Sequence, residues 1–201
     1  ARAHKYFALE LGGKSGNIVF DDADLDAAVE GVFVGFTINA GQECCAGTRI
    51  LVQNSIAPEF IARLRKRCEA ARVGLPLDEG AELGPLIHEQ HLQRVLSYIE
   101  KGKLEGAVVA TGGDRIKRDN FASGLYVAPT LFTNVTPDMS IYREEIFGPV
   151  ACVSTFDTFD EAIALANDTR YGLANGVWTP NIDRAMAALR QLKSGVVWVN
   201  T

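Results

Sequence analysis

The apolar residues of this chain switch repeatedly between two spacings, and that alternation constrains the fold more than any other feature. Short runs with strand character are YFALEL (6–11), RILVQ (49–53), AVVATGG (107–113), VACVSTF (150–156), NGVWT (175–179) and GVVWVN (195–200). Helical periods lie between them. In 21–36, Leu25, Ala28, Val29, Val32, Phe33 and Phe36 share one helical face, behind acids that suit the positive end of a helix dipole. Residues 58–72 open with Pro58, well placed for a first turn, and carry Phe60, Leu64 and Cys68 as a stripe. Residues 88–101 repeat the period with Leu92, Val95, Leu96 and Ile99, and 159–168 and 181–193 complete the series. Strands alternating with helices need crossover connections. The sequence therefore predicts an α/β fold, a mostly parallel sheet with helices on both faces. In such sheets reactive loops sit at the carboxyl ends of strands, so GGKSG (12–16) and NAGQECCAGTR (39–49) are expected at that edge.

At 201 residues the chain is long enough for one domain with its own core. Its net charge is −5 and no run of Lys and Arg forms a basic stripe, which argues against nucleic acid and anionic membrane surfaces as partners. No apolar stretch reaches the ~18 residues of a membrane span. The opening ARAHKYFALELGG does not read as a signal peptide, and both ends read as cut within or beside a strand, as in a fragment. The four cysteines, 44, 45, 68 and 152, are too sparse for a disulfide scaffold, so a reducing, cytoplasmic setting is expected. No metal is predicted: His88 and His91 are three apart, but no Cys or carboxylate set at ligand spacing accompanies them.

Three segments carry chemistry. LGGKSG (11–16) contains Gly-Lys-Ser, but a phosphate loop needs Gly where Ala8 stands, and no G-x-G-x-x-G follows a strand. Glu10 closes an apolar run. A partly desolvated carboxylate with a raised pKa would suit a general base, whereas a strand-end acid facing water would be inert, and both readings stay open. In the second segment Cys44 and Cys45 are adjacent. Gly41 and Gly47 allow close backbone approach, and Asn39 or Thr48 could donate hydrogen bonds to a thiolate. Cys68 and Cys152 fall on apolar patterns and read as core. The third segment, REEIFGPV (143–150), reads by itself as a turn entering a strand, with Phe147 as an apolar plug.

Together these residues resemble the aldehyde dehydrogenase superfamily. The family's glutamate signature is matched by Leu9-Glu10-Leu11-Gly12-Gly13-Lys14-Ser15. Its cysteine signature is matched by Gly41-Gln42-Glu43-Cys44-Cys45-Ala46-Gly47-Thr48-Arg49, and its cofactor signature by Glu144-Glu145-Ile146-Phe147-Gly148-Pro149. GLYVAPTLF (124–132) and NDTRYGLA (167–174) also match, so the resemblance runs over almost all of the chain. One departure is Gly16, where the family usually has Pro. The resemblance implies that Cys44 is the nucleophile and Glu10 the general base. It implies that Glu145 binds the nicotinamide ribose of NAD or NADP, that Phe147 packs near the nicotinamide, and that Gly12 belongs to the cofactor site. Ile38, Glu43 and Cys45 fall on positions that line the aldehyde pocket.

The implied reaction is covalent: the Cys44 thiolate attacks the aldehyde carbon, hydride leaves to the nicotinamide, and Glu10 activates water to hydrolyse the thioester. The resemblance covers a single catalytic domain, 1–201, with 1–13 as the end of the segment linking it to a cofactor domain. The oxyanion amide and most cofactor contacts belong to the family's N-terminal half, so the chain alone is expected to be inactive as a dehydrogenase. The family's full-length members imply a homo-oligomeric parent. A thiol hydrolase or esterase would need a His near Cys44, and only His4, His88 and His91 exist. A catalytically silent interaction module would lack an accessible, reactive Cys44.

Overall fold

The computed structural model describes residues 4–117, 121 and 123–201. In chain order it contains β1 (Gly16–Val19), α1 (Leu25–Thr37), a 3₁₀ turn (Ile38–Gly41), β2 (Arg49–Gln53), α2 (Ala57–Glu69), α3 (Glu89–Leu104), β3 (Val108–Thr111) and β4 (Thr130–Thr133). There follow α4 (Ser140–Arg143), β5 (Val150–Phe156), α5 (Phe159–Asn167), β6 (Ala174–Trp178), α6 (Ile182–Gln191) and β7 (Val196–Val199). The described strands form one seven-stranded sheet in the order β3-β4-β5-β2-β1-β6-β7. All neighbours are parallel except β3 and β4. The α/β expectation holds.

Local chemistry sets the helix starts. Asp24 accepts from the N–H groups of Asp26 and Ala27, Thr158 from Glu161 and Asn181 from Arg184. Each such cap contributes about 1 kcal/mol. The strands read as continuous apolar runs because both sheet faces are covered. On β5, Val150 and Cys152 join one core layer and Ala151 and Val153 the other. The first layer packs against α3, α4, α5 and α6, the second against α1 and α2.

Two expectations fail. The run 6–11 is not a strand: Tyr6, Phe7, Leu9 and Leu11 are exposed, and the sheet begins at Gly16, where the Gly16 N–H is held by Asn175 Oδ1 at 2.8 Å. Apolar character alone cannot make a strand without a neighbour to pair with. The second failure follows from the first. Because β1 starts at the last residue of GGKSG and β2 at the last residue of the Cys loop, both segments lie at the amino ends of the parallel strands, not the carboxyl ends. Elements β4 and α4, only four residues each, are too short for periodicity to reveal.

Arg49, at the start of β2, is fully buried. Its Nε donates to the Lys14 carbonyl at 2.7 Å, Nη2 to Ala166 O at 2.7 Å, and Nη1 to Leu165 O at 2.9 Å. Tyr142 Oη lies 3.3 Å from Nη1, and the guanidinium sits 5.1 Å from the Tyr142 ring centroid. Among the described residues no carboxylate pairs with it; its charge is met by carbonyl dipoles, two of them at the negative end of α5. Removing the guanidinium would strand three carbonyls. Arg49→Met is expected to lower the unfolding free energy by about 3–5 kcal/mol. Arg49→Lys should restore less than half, because one ammonium cannot span three acceptors. Urea midpoints measure both, and a loss under about 1 kcal/mol for Arg49→Met would contradict this role.

Lys14 is buried beside Arg49. Burial pushes its ammonium from 10.5 down to about 8; Arg49 adds to the fall, while Cys152, Glu145 and Glu144 oppose it. Since folding lowers this pKa, the unfolded chain holds the extra proton between pH 8 and 10.5. The resulting penalty on the fold is full below about pH 8 and fades as pH rises to 10.5. At about 1.4 kcal/mol per pKa unit it reaches roughly 3 kcal/mol. The stability of Lys14→Met relative to the parent should therefore decline from pH 7.5 to 10.5, read from paired urea titrations. A gap that does not change with pH would rule out a depressed Lys14.

Candidate active site

The three motif segments converge at the amino edge of the sheet, and glycines let them touch. Gly13 N–H donates to Glu145 Oε1 at 2.9 Å. A Cβ placed on Gly13 would lie 1.9 Å from the Cys44 carbonyl oxygen, and one on Gly12 would lie 2.6 Å from Glu145 Oε2. Gly41, at φ 71°, leaves no room either: its Cβ would fall 2.2 Å from the Gly148 carbonyl. Any side chain at these positions would push the segments apart.

The Cys loop is shaped by the end of α1. Asn39, Ala40 and Gly41 all take left-handed backbone angles, at φ 51°, 54° and 71°. For the two non-glycine residues this costs roughly 1–2 kcal/mol each, strain of the kind that concentrates at functional sites. Asn39 Nδ2 donates to Gln42 O at 3.1 Å and Gln42 Nε2 returns to Asn39 O at 2.9 Å. The Asn39 amide, expected as a donor to a thiolate, is thus spent on the loop's own backbone. Cys44 and Cys45 are half-buried. Burial pushes the Cys45 thiol up, and Cys44 and Glu43 push it the same way. Cys68 and Cys152 are buried in the two core layers, as their patterns predicted.

One face of α3 braces the third segment. His91 Nε2 lies 2.6 Å from Phe147 O, Arg94 Nη2 donates to Glu145 O at 2.9 Å, and Tyr98 Oη donates to Glu144 Oε2 at 2.6 Å. Phe147, itself at φ 64°, is half-buried with its ring edge-on to His91. His88 caps α3 by accepting the His91 N–H at 3.0 Å. The histidine pair is therefore structural, and among the described residues no three His, Cys, Asp or Glu gather as metal ligands. Sequence reading missed Arg49, Lys14 and this row. The spacing of 91, 94 and 98 places them on one helix face, but nothing local says what that face meets.

Two clefts flank the Cys loop. Glu43 and Cys45 line the first, of about 460 Å³, with Ile38, Asn17, Gly35 and Trp198. Asn39 and Gln42 line the second, of about 640 Å³, with Phe147, Leu86 and Ile87. In sequence Cys44 lies between Glu43 and Cys45 of the first set, two residues after Gln42 of the second. Glu10 lies on the exposed segment before β1 and is not packed into the junction, so of the two readings left open its carboxylate faces water. Gly12 is half-buried against Glu145. No described helix is long and apolar enough to cross a membrane.

Comparison with known proteins agrees with this convergence. The model of the aldehyde dehydrogenase family matches residues 1–201. A betaine aldehyde dehydrogenase of Brucella anthropi is 48% identical over 196 residues, which is 98% of this chain and 40% of the relative. One of Rhizobium johnstonii is 49% identical over 197 residues, with the same coverage. Among solved structures, betaine aldehyde dehydrogenase from Staphylococcus aureus in complex with NAD+ superposes with a TM-score of 0.94 at 46% identity, covering 95% of this chain and 38% of that one. An NAD-dependent aldehyde dehydrogenase from Sinorhizobium meliloti gives a TM-score of 0.91 at 47% identity, covering 96% and 38%. The chain thus spans about 40% of the length of the curated relatives it matches. Its sheet, its three converging motifs and its match over the full 201 residues make it a member of the aldehyde dehydrogenase family.

Proposed function

We propose that this chain supplies the nucleophile and the aldehyde cleft of a dehydrogenase that oxidises an aldehyde to a carboxylic acid. The observation that carries the reading is the pair of clefts on either side of the Cys44 loop, one lined by Glu43 and Cys45 and the other by Phe147. A cysteine loop that contributes to two clefts suits a reaction in which substrate and hydride acceptor approach from different directions. Among the described residues Glu43 is the one charged side chain lining the first cleft. It favours neutral or cationic aldehydes over carboxylate-bearing ones. Similar proteins bear the name of betaine aldehyde, which fits that preference.

The residues around the second cleft fit a nicotinamide dinucleotide. Phe147 offers a half-buried aromatic face, and Glu145 sits against the unfilled position of Gly12 and accepts the Gly13 N–H. Glu145, Phe147 and Gly12 would hold its nicotinamide end; NAD is favoured because a close structural relative was solved with NAD+. When bound, the dinucleotide supplies a hydride acceptor. The Cys44 thiolate forms a C–S bond to the aldehyde carbon while the carbonyl electron pair moves to oxygen. The Cys44 N–H can stabilise that oxyanion. Loss of the aldehyde hydrogen with its electron pair leaves a thioester on Cys44. Glu10 then takes a proton from water, whose oxygen displaces the thiolate and releases the acid. Its exposed segment must close over the Cys loop to do so.

Two measurements test this reading. With limiting iodoacetamide, peptide mass spectrometry should find label on Cys44 first, since burial raises the Cys45 thiol and encloses Cys68 and Cys152. Dominant label on any other cysteine would overturn the assignment. In the full-length protein that contains this chain, Glu10→Gln should retain the burst of reduced cofactor but lose turnover by about 10²-fold or more. Loss of the burst as well would place Glu10 in the first half-reaction.

A further inference from the structure

Asn17, on β1, has a buried side chain whose Oδ1 accepts the indole Nε1–H of Trp178 at 2.9 Å. An indole only donates, so this bond fixes which end of the amide is oxygen. The Nδ2 end turns toward two glycines. A Cβ placed on Gly47 would lie 3.0 Å from Nδ2, and one on Gly35 would lie 3.5 Å from it. Gly35 and Gly47 line the 460 Å³ cleft together with Asn17, Ile38, Glu43 and Cys45. Among the described residues Nδ2 meets no acceptor. It is nonetheless not fully sealed from solvent, unlike the unpartnered Ser15 Oγ. The cleft therefore has an oriented, unspent donor at its floor, uncovered by the missing side chains of two glycines.

We propose that Asn17 is a specificity-determining residue, donating a hydrogen bond from Nδ2 to a neutral oxygen that the substrate carries away from its aldehyde carbon. The substrate class is hydroxy-, alkoxy- or amide-bearing aldehydes, preferred over alkyl aldehydes of equal length. Glu43 opposes a carboxylate in the same cleft, so the acceptor is an uncharged oxygen. An alkyl tail in this position would cover the donor and leave it unpaired, which is why the discrimination should be large for one atom. The proposal rests on reading this cleft as the aldehyde pocket.

The test uses the full-length protein that contains this chain, with hexanal and a set of ether isosteres in which oxygen replaces one methylene, moved one position at a time. The best ether should exceed hexanal in kcat/KM by about tenfold. Asn17→Ala removes the donor but also deprives Trp178 of its acceptor, so its stability is measured alongside. Gly35→Ala keeps that bond and sets a methyl over Nδ2; it has no other neighbour within 4 Å of the new atom and favours the helix. The ether preference should fall to near unity in both variants. A preference that survives Gly35→Ala, or the absence of any favoured ether in the parent, would overturn the role of Asn17. Absence of cofactor reduction with every aldehyde would overturn the dehydrogenase reading itself.

Discussion

A single buried guanidinium ties this fold to its site. Arg49 begins β2 directly after the Cys loop and holds the Lys14 carbonyl of the neighbouring segment and the last carbonyls of α5. These groups come from parts of the chain more than a hundred residues apart. A buried cation without a carboxylate partner is costly unless oriented dipoles replace its water. Here the helix terminus, the Lys14 carbonyl and the Tyr142 hydroxyl do so. The same bonds leave those carbonyls satisfied, so each partner depends on the others.

From that anchor the amino edge of the sheet is assembled by close backbone contact. Lys14 is held by Arg49, Gly13 meets the Cys44 carbonyl, and Gly41 meets the Gly148 carbonyl. The hydrogen bond from Gly13 to Glu145 closes the set. Such contacts specify geometry more tightly than side-chain packing, because a backbone cannot change rotamer. The strained left-handed stretch at Asn39 and Ala40 is tolerated because both of its ends are fixed, by α1 on one side and by Gly148 on the other. The row His91, Arg94 and Tyr98 then gives the Glu144–Phe147 segment a rigid support.

Much of this was legible in the sequence. Helical and strand periods are local consequences of burial on one face or two, so the longer helices, most strands and the α/β class followed from the spacing of apolar residues. The motifs LGGKS, GQECC and EEIFGP were visible as residue types in order, and their glycines mark the positions where backbones now touch. The run Tyr6–Leu11 misled because its apolar residues have a strand's composition but no strand beside them among the described residues. Asn17 and Arg49 gave no local signal, since an amide or a guanidinium in a strand means nothing until its partners are known.

The sequence by itself determined the alternation of elements, the apolar faces and which segments carry the motifs, because each depends on neighbours within a few turns of chain. Only the tertiary structure decided which edge of the sheet the segments share, that Glu145 meets Gly13, that Phe147 and Cys45 line different clefts, and that Arg49 joins β2 to α5. The reason is physical: register and strand order are set by the mutual burial of elements distant in sequence, and the electrostatics of Lys14 and Arg49 exist only once that burial has removed water from around them.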